Sequence, residues 1–345
     1  PIPFDEAGNI LWRDYIAFLM ERCKKPILGI EIKVQQIVKQ KLFGPDLQAA
    51  LAALEAAYDF DLILLTRKNH IERWLSAEVA REKGLAIVSG FCWRYNEALR
   101  AAQKQIRDGA IGRIRAVYAT YYRASLSHKY PGNRKPGMSD LEWQIRTWVH
   151  HTWVSGDHIV EQHLHSLDTA NWALGGHPIS ARAMGGRQVH QGDLYGNVYD
   201  HFAVEYEYAD GKRMFSQCRQ MDDTESLVTT LVDGTGGRAD GRGRIFGPDG
   251  KGTWRYRNRD APNPYEEEHA ALIRSIREGN PLNETVPVAE ATLTAIMGRE
   301  SAYSGKTITW EEALNSKQDF TLEAYDFYRP RAIGPVPMPG TYEFS

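Results

Sequence analysis

Six short runs rich in tyrosine and valine dominate the sequence from residue 113 onward and constrain its fold more than any other feature. In the run 198–208, the even positions are mostly apolar and the odd positions mostly polar, as a sheet covered on one face requires. Turn signals, ADG at 209–211 and PDG at 248–250, separate some of these runs. The pattern predicts a mostly antiparallel sheet whose strands lie at 113–124, 180–189, 198–208, 212–221, 226–232 and 252–257.

Before residue 113 the chain alternates apolar runs with helical patterns, in the order strand, helix, strand, helix, strand. The apolar runs are 27–32, 60–65 and 85–91, and the helical patterns are 34–57 and 70–81. Units of this order form parallel sheets with right-handed crossovers. We therefore expect an α/β domain at 1–112, a larger α+β domain at 113–330, and an extended proline-rich tail at 331–345.

Helix signals follow the predicted sheet. Asn263 and Pro264, followed by three glutamates, form an N-cap, a first-turn proline and dipole-matched acids for a helix that ends at Gly279. A second helix is predicted at 288–304, closed by the next glycine, Gly305. Thr309 with Glu312 has the spacing of a capping box.

Composition excludes several classes of function. The net charge of −2 and the pI near 6.7 provide no basic field for nucleic acid or an anionic membrane surface. The three cysteines lie far apart and predict neither a zinc site nor a disulfide framework. The sequence also contains no apolar run of about 18 residues and no signal-peptide pattern at its start, so we expect a cytoplasmic protein.

The strongest candidate for chemistry is the segment 155–168. In one continuous helix, Glu161, His165 and Asp168 would fall at i, i+4 and i+7 on a shared face. Its neighbouring stripe is apolar and would anchor the helix to a core. An imidazole one turn from a carboxylate suits proton transfer near neutral pH. The alternative is a helix that carries solvated charges.

Four stretches of the sequence resemble the glucose-fructose oxidoreductase, inositol dehydrogenase and MocA (Gfo/Idh/MocA) family: 85–96, 156–188, 196–208 and 263–284. The resemblance implies a Rossmann domain followed by an α+β domain whose open sheet mediates homo-oligomerisation. The fold class expected here is thus α/β plus α+β, with a truncated Rossmann-like parallel sheet before a large, mostly antiparallel open-sheet domain with flanking helices. The implied activity is hydride transfer between NAD or NADP and a carbohydrate-like substrate, a sugar, polyol or related hydroxy compound.

Site residues follow from the same resemblance. His165 matches the family's catalytic histidine, which takes the substrate hydroxyl proton, and Glu161 matches the acid that orients it. Five further residues lie in or beside the matching stretches and are candidate substrate contacts: Arg94, Tyr95, Trp153, Asp157 and Arg187. For each of these, a packed aromatic or a surface ion pair is an equal alternative.

The first 80 residues depart from the family pattern, because they contain neither the GxGxxG turn nor the EKP motif. The letters EKG at 82–84 precede a predicted strand instead of following one. The segment 234–239 fits GxGxxA by letter, but the residues after it predict a hairpin loop.

Residues 10–80 instead resemble part of a sulfotransferase, in the segment that holds the 3′-phosphate of the sulfate donor. Arg67 or Lys68, together with Ser76, would match the phosphate contacts, and a solvated pair of cations at a turn is the alternative. The sequence therefore leaves three hypotheses: an NAD(P)-dependent oxidoreductase that uses His165, a sulfotransferase-like nucleotide binder, and a sugar-binding or scaffold protein without turnover.

Overall fold

The computed structural model describes residues 83–126, 134–320 and 328–345. The elements predicted between residues 10 and 80, together with Arg67 and Ser76, lie outside the described residues. The chain divides into two compact units. Within the described residues, the smaller unit includes 135–146 and 328–331, and the larger includes 83–126, 147–320 and 332–345.

A nine-stranded mixed sheet forms the centre of the larger unit, in the order β8-β7-β6-β5-β1-β4-β3-β2-β9. Neighbouring strands are antiparallel except β1 and β4, which run parallel. The prediction of a mostly antiparallel sheet is confirmed. The strands are β1 (Ile114–Arg123), β2 (Ser180–Gly186), β3 (His201–Glu207), β4 (Arg213–Gln220), β5 (Leu227–Gly234), β6 (Arg238–Asp240), β7 (Arg244–Phe246), β8 (Gly252–Arg255) and β9 (Ile308–Thr309).

Helices flank this sheet. Two of them supply most of the cover, since α5 packs against β1 and β5 while α7 packs against β2, β3 and α5. The helices of the larger unit are α1 (Glu97–Arg107), α3 (Thr152–Ser155), α4 (His158–Glu161), α5 (Leu164–Leu174), α6 (Pro264–Arg277), α7 (Thr285–Ser304) and α8 (Trp310–Leu314), and the smaller unit contains α2 (Asp140–Arg146). None of the helices among these described residues has the length and apolar character needed to cross a membrane.

Alternation along the strands decides which side chains enter the core. In β3, Phe202, Val204 and Tyr206 are buried, whereas the residues between them are partly accessible. These buried side chains join one apolar cluster with Leu167 of α5 and Met297 of α7. The period of two read from the sequence therefore identifies the covered face of the strand.

Local signals at helix ends are confirmed. The Asn263 side chain accepts a hydrogen bond from the backbone of Tyr265 at the start of α6. Gly305 adopts a left-handed conformation (φ 73°) and ends α7. Thr309 and Glu312 form the predicted capping box, with hydrogen bonds in both directions. Each signal acts within a few residues, so tertiary packing does not overrule it.

The structure confirms the prediction for one glycine-rich segment and contradicts the prediction for one apolar segment. The segment 234–243 forms successive antiparallel hairpins between β5, β6 and β7, which confirms the hairpin prediction. The strand predicted at 85–91 is wrong, because only Ile87 forms a bridge there, with Asn283, and Gly90 turns the backbone at φ 77°. A 3-10 helix, Cys92–Tyr95, follows it directly.

The smaller unit is described around α2. The backbone N–H of Arg331 donates to the Asp140 carboxylate (2.7 Å), and the Gln144 side-chain amide donates to the Arg331 carbonyl (2.9 Å). These hydrogen bonds hold residues 328–331 against the helix. In the larger unit, the tail 332–345 has no helix or strand, and its Val336, Tyr342 and Phe344 pack on the core.

Candidate functional site

The segment predicted as one helix is broken between α4 and α5. Gln162 leaves the helical conformation (φ −123°, ψ −54°), and the backbone N–H of His163 bonds to the carbonyl of His158, five residues earlier. The wider turn buries the His163 ring, whose Nε2 lies 2.7 Å from Ser216 Oγ of β4. The prediction of one continuous helix is therefore wrong, because this tertiary contact is made in place of a regular turn.

His165, in the first turn of α5, packs among aromatic rings. Its imidazole stacks on Trp93, with centroids 5.3 Å apart and planes at 29°, and meets the edge of Phe91 at 5.8 Å. Its Nδ1 is buried and has no hydrogen-bond partner among the described residues. Burial lowers the pKa of His165, so the ring is neutral at pH 7 and can accept a proton.

Glu161, at the end of α4, makes a different contact from the one expected. Among the described residues no hydrogen bond joins its carboxylate to His165. It accepts a long hydrogen bond of 3.5 Å from the Gln220 side-chain amide, which also donates to the Gln162 side chain at 3.1 Å. Glu161 and Gln162, where the helix breaks, thus both contact Gln220, the last residue of β4.

Tyr121 extends the aromatic wall beyond Trp93. The two rings are nearly parallel, with planes at 16° and centroids 6.3 Å apart, and Tyr121 also meets the edge of His163 at 6.1 Å. Burial raises the pKa of Tyr121, the nearby Arg123 opposes this shift, and Glu161 adds to it. The phenol therefore stays protonated at neutral pH. Together these side chains present stacked rings, a neutral base and carboxylate and amide groups, a combination that suits a hydroxylated ring.

Arg94 and Tyr95 lie beside Trp93 in the 3-10 helix but make internal contacts. Arg94 forms an ion pair with Asp168 (Nη2 to Oδ1 2.7 Å) and lies over the Trp172 ring. The buried Tyr95 hydroxyl donates to Glu284 at 2.5 Å. The shared helical face predicted for Glu161, His165 and Asp168 is therefore divided, since Asp168 faces Arg94.

The other three sequence candidates lie in separate surroundings. Asp157 is fully buried and accepts hydrogen bonds from its neighbours in the core. The guanidinium of Arg187 donates to the backbone carbonyls of His190, Gly196 and Gly192, and so closes a loop. Trp153 is half-buried in α3. No described contact joins these three side chains to His165.

Comparison with known proteins shows what the central part of the chain is similar to. Residues 99–240, which include β1 to β6 and the helix break, match the model of the GFO/IDH/MocA C-terminal domain. The match supports the GFO/IDH/MocA family. A 2,7-anhydro-N-acetylneuraminate hydratase of Mediterraneibacter gnavus is 27% identical over 133 residues, which cover 38% of this chain and 31% of that protein. The matched segment thus spans about a third of the length of this curated relative.

Solved GFO/IDH/MocA-like structures have the same fold. A putative myo-inositol dehydrogenase from Sinorhizobium meliloti 1021 has a TM-score of 0.52 at 18% identity, with 70% of each chain covered. Levoglucosan dehydrogenase, in complex with NADH and levoglucosan, has a TM-score of 0.53 at 17% identity, again with 70% of each chain covered. These findings do not support the sulfotransferase resemblance of residues 10–80, which lie outside the described residues.

Sequence reasoning missed three members of the site. Trp93 lies in the stretch 85–96 that resembles the GFO/IDH/MocA family, but its neighbours Arg94 and Tyr95 were predicted as substrate contacts instead. Tyr121 follows Val117 and Ala119 on the covered side of β1, so strand alternation placed it toward the helices. Gln220 carries no local signal, because it contacts Gln162 only through the pairing of distant elements.

The described residues include neither a metal-binding cluster nor a dinucleotide-binding turn. No group of three or more histidine, cysteine or acidic side chains among them is arranged to hold a metal ion. The neutral ring of His165 can accept a proton. However, the described residues contain no glycine-rich turn between a strand and a helix N-terminus, since 234–239 lies in a hairpin. The described residues therefore contain no turn that could hold the pyrophosphate of a dinucleotide.

Proposed function

We propose that the chain acts on a sugar, polyol or related hydroxy compound, with His165 as the general base of an NAD(P)-dependent oxidoreductase. The observation that carries this proposal is the neutral His165 ring, half-buried against Trp93, with a buried nitrogen that finds no partner in the described part of the chain. The family match and the sugar dehydrogenases among the solved neighbours support the substrate class.

In the proposed reaction the substrate ring lies along the wall of Trp93 and Tyr121. His165 accepts the proton of the reacting hydroxyl, and Glu161 and the Gln162 and Gln220 amides bond to other hydroxyl groups. A bound nicotinamide would supply the acceptor for the hydride. The neutral imidazole suits the first step because burial keeps it unprotonated above its lowered pKa.

One experiment tests both the role of His165 as the general base and the transfer of hydride to the nucleotide. Purified protein is offered a panel of sugars and polyols with NAD⁺ or NADP⁺, and formation of the reduced nucleotide is followed by absorbance. We expect His165→Ala to reduce turnover by about 10²- to 10⁴-fold, the usual contribution of general base catalysis. The exposed His269→Asn is the matched control and retains wild-type turnover. Wild-type activity in His165→Ala would remove His165 from the mechanism.

The curated relative favours a second candidate. That protein is named a hydratase of an anhydro-sialic acid, so the same pocket is a candidate for net addition of water to an anhydro sugar acid. Incubation with such a compound and analysis of the product by mass spectrometry distinguishes the two. A product heavier by one water molecule, without net nucleotide reduction, favours the hydratase.

Fluorescence titrations then identify the nucleotide, if any. Binding of NADH or NADPH supports the oxidoreductase. Binding of 3′-phosphoadenosine 5′-phosphate alone supports a sulfotransferase-like nucleotide binder, and the absence of all three supports a sugar-binding protein without turnover.

We also propose that the uncovered face of the sheet joins copies of this chain. Tyr118 and Phe215 stack there at 5.6 Å and are 43% and 38% exposed, and Met184 of β2 is 75% exposed. Exposed apolar side chains on neighbouring strands are typical of an interface. Light scattering of Phe215→Glu, with Ile276→Glu on α6 as the control, tests this. An unchanged mass for Phe215→Glu would contradict the proposal.

A further inference from the structure

Two consecutive residues with positive φ join α3 to α4. Gly156 has φ 75°, and a Cβ there would lie 2.8 Å from a methyl carbon of Val160. Asp157 has φ 74° and ψ 162°, a conformation that is costly for any residue with a side chain. Such a conformation persists only where the surrounding structure holds the backbone in place. Here the surrounding groups hold it through hydrogen bonds.

Donors from three parts of the fold converge on the Asp157 carboxylate. Its Oδ2 accepts from the backbone N–H of Tyr199, just before β3 (2.8 Å), and from the Tyr303 hydroxyl of α7 (2.5 Å). Its Oδ1 accepts from the backbone N–H of His158 (2.6 Å) and lies 3.0 Å from His158 Nδ1. Two of these four groups are backbone N–H groups, which can only donate, and each carboxylate oxygen accepts from one of them, so an amide nitrogen at either position would oppose a donor.

The preceding carbonyl is held as well. Arg299 of α7 donates to the Gly156 carbonyl at 3.2 Å, and its guanidinium is paired with the buried Glu300. The turn is thus bonded on both sides to α7. Burial lowers the pKa of His158, but the Cys218 thiol and the Asp157 carboxylate together raise it above its usual value.

His158 connects the turn at Gly156 and Asp157 to the helix break beside His165. Its carbonyl accepts the N–H groups of Gln162 (3.1 Å) and His163 (3.0 Å), and so closes the wide turn of the helix break. The His163 carbonyl in turn accepts the N–H groups of Ser166 and Leu167, which starts α5 around His165. Backbone hydrogen bonds that meet at His158 and His163 therefore connect Asp157 to the first turn of α5.

We propose that Asp157 is a positioning residue, whose strained backbone and fully bonded carboxylate place the helix break so that His165 lies on Trp93. This inference rests on the function proposed above and deepens it. Asp157 itself is buried and does not touch the substrate site. Its effect on the reaction passes through His158 and the turn.

The test is Asp157→Asn, which has the same shape but replaces one acceptor oxygen with a donor. We expect kcat to fall by about 10- to 100-fold while KM changes much less, since a shift of about 1 Å in a catalytic group has this effect. NMR of the His165 ring, assigned by the loss of its signal in His165→Gln, gives a second readout. The His165 pKa should rise toward its ordinary value as the ring leaves its packed position.

Ile245→Ala is the control matched for loss of stability. Ile245 is buried in β7, near the other edge of the sheet from β3, so its truncation weakens the core without touching the turn. We expect this variant to retain the wild-type kcat and His165 signal. Should Asp157→Asn fail to fold, Tyr303→Phe removes a single donor and should shift kcat and the His165 signal in the same direction, by several-fold in kcat.

The outcomes separate the two proposals. A wild-type protein without turnover overturns the proposed function, while the NMR arm still decides the role of Asp157. The kcat and the His165 signal of Asp157→Asn, or of Tyr303→Phe in its place, are compared with those of Ile245→Ala. If they are the same, Asp157 only stabilises the fold and the positioning role is wrong.

Discussion

Arg94 and Asp168 form a two-pronged ion pair across 74 residues of sequence, with Nη2 2.7 Å from Oδ1 and Nε 2.9 Å from Oδ2. Asp168 is 2% exposed and Arg94 19% exposed. Burial raises the pKa of Asp168, and Arg94 opposes that shift. The pair joins the 3-10 helix that carries Trp93 to the α5 helix that carries His165.

We expect Arg94→Met to lower the free energy of unfolding by about 3 kcal/mol, because it leaves a buried carboxylate without its cation. Arg94→Met combined with Asp168→Leu should lose less than Arg94→Met alone. Urea unfolding measures both. Lys104→Met, which removes the exposed ion pair with Asp108, is the control and should change the free energy by less than about 0.5 kcal/mol. Equal midpoints for Arg94→Met and the control would contradict the prediction.

Gly298 lies in α7 where a Cβ would be 2.2 Å from the Tyr206 hydroxyl. Gly298→Ala should therefore destabilise the protein by about 1–3 kcal/mol through overpacking, against the gain of about 1 kcal/mol that alanine gives a helix. The Tyr206 hydroxyl is buried, and no residue that the structure describes forms a hydrogen bond with it. Tyr206→Phe should be neutral or stabilising, and should recover much of the loss in the double variant. Thermal unfolding of the four proteins tests this, and additive effects would exclude the contact as the cause.

Acid should weaken the fold through its buried histidines. Burial lowers the pKa of His163 to about 3 and of His150 to about 3, whereas the unfolded chain titrates near 6.5. Below pH 6.5 the unfolded state binds more protons, so stability falls as the pH decreases toward 3 and does not depend on these groups above 6.5. Each group contributes a slope of about 1.4 kcal/mol per pH unit.

Urea midpoints at pH 7.5, 6 and 5 measure this slope. His163→Gln should reduce it by the share of one group, whatever its effect on stability at neutral pH. His269→Gln, at an exposed position, should leave it unchanged. A slope in His163→Gln equal to that of the wild type would show that His163 is protonated in the folded state.

Tyr342 fastens the C-terminal tail to the core. Its hydroxyl donates to the buried Glu300 at 2.7 Å and accepts from the Gln318 side chain at 2.5 Å. We expect Tyr342→Phe to cost about 1–3 kcal/mol, because a buried carboxylate oxygen loses its donor. Tyr118→Phe, on the uncovered face of the sheet, is the control. Proteolysis of the tail should also accelerate in Tyr342→Phe, and an unchanged rate and unfolding midpoint would exclude this hydroxyl as an anchor.

Much of the larger unit was predictable from the sequence because its signals are local. The alternation in 198–208 identified the buried Phe202, Val204 and Tyr206, and the caps at Asn263 and Gly305 identified the ends of two helices. A period of two and a cap hydrogen bond both act over a few residues. The role of His165 in catalysis stays a prediction.

Tertiary structure alone decided the rest, because it depends on partners that are distant in sequence. The helix breaks at Gln162 since His163 finds Ser216 on β4, and the imidazole of His165 is neutral since Trp93 and Phe91 bury it. The expectation that Glu161 orients His165 depended on the spacing of the two residues along one continuous helix. The amino-acid sequence thus determined which strands alternate and where helices end, and three-dimensional packing determined which carboxylates, rings and amides surround the candidate base.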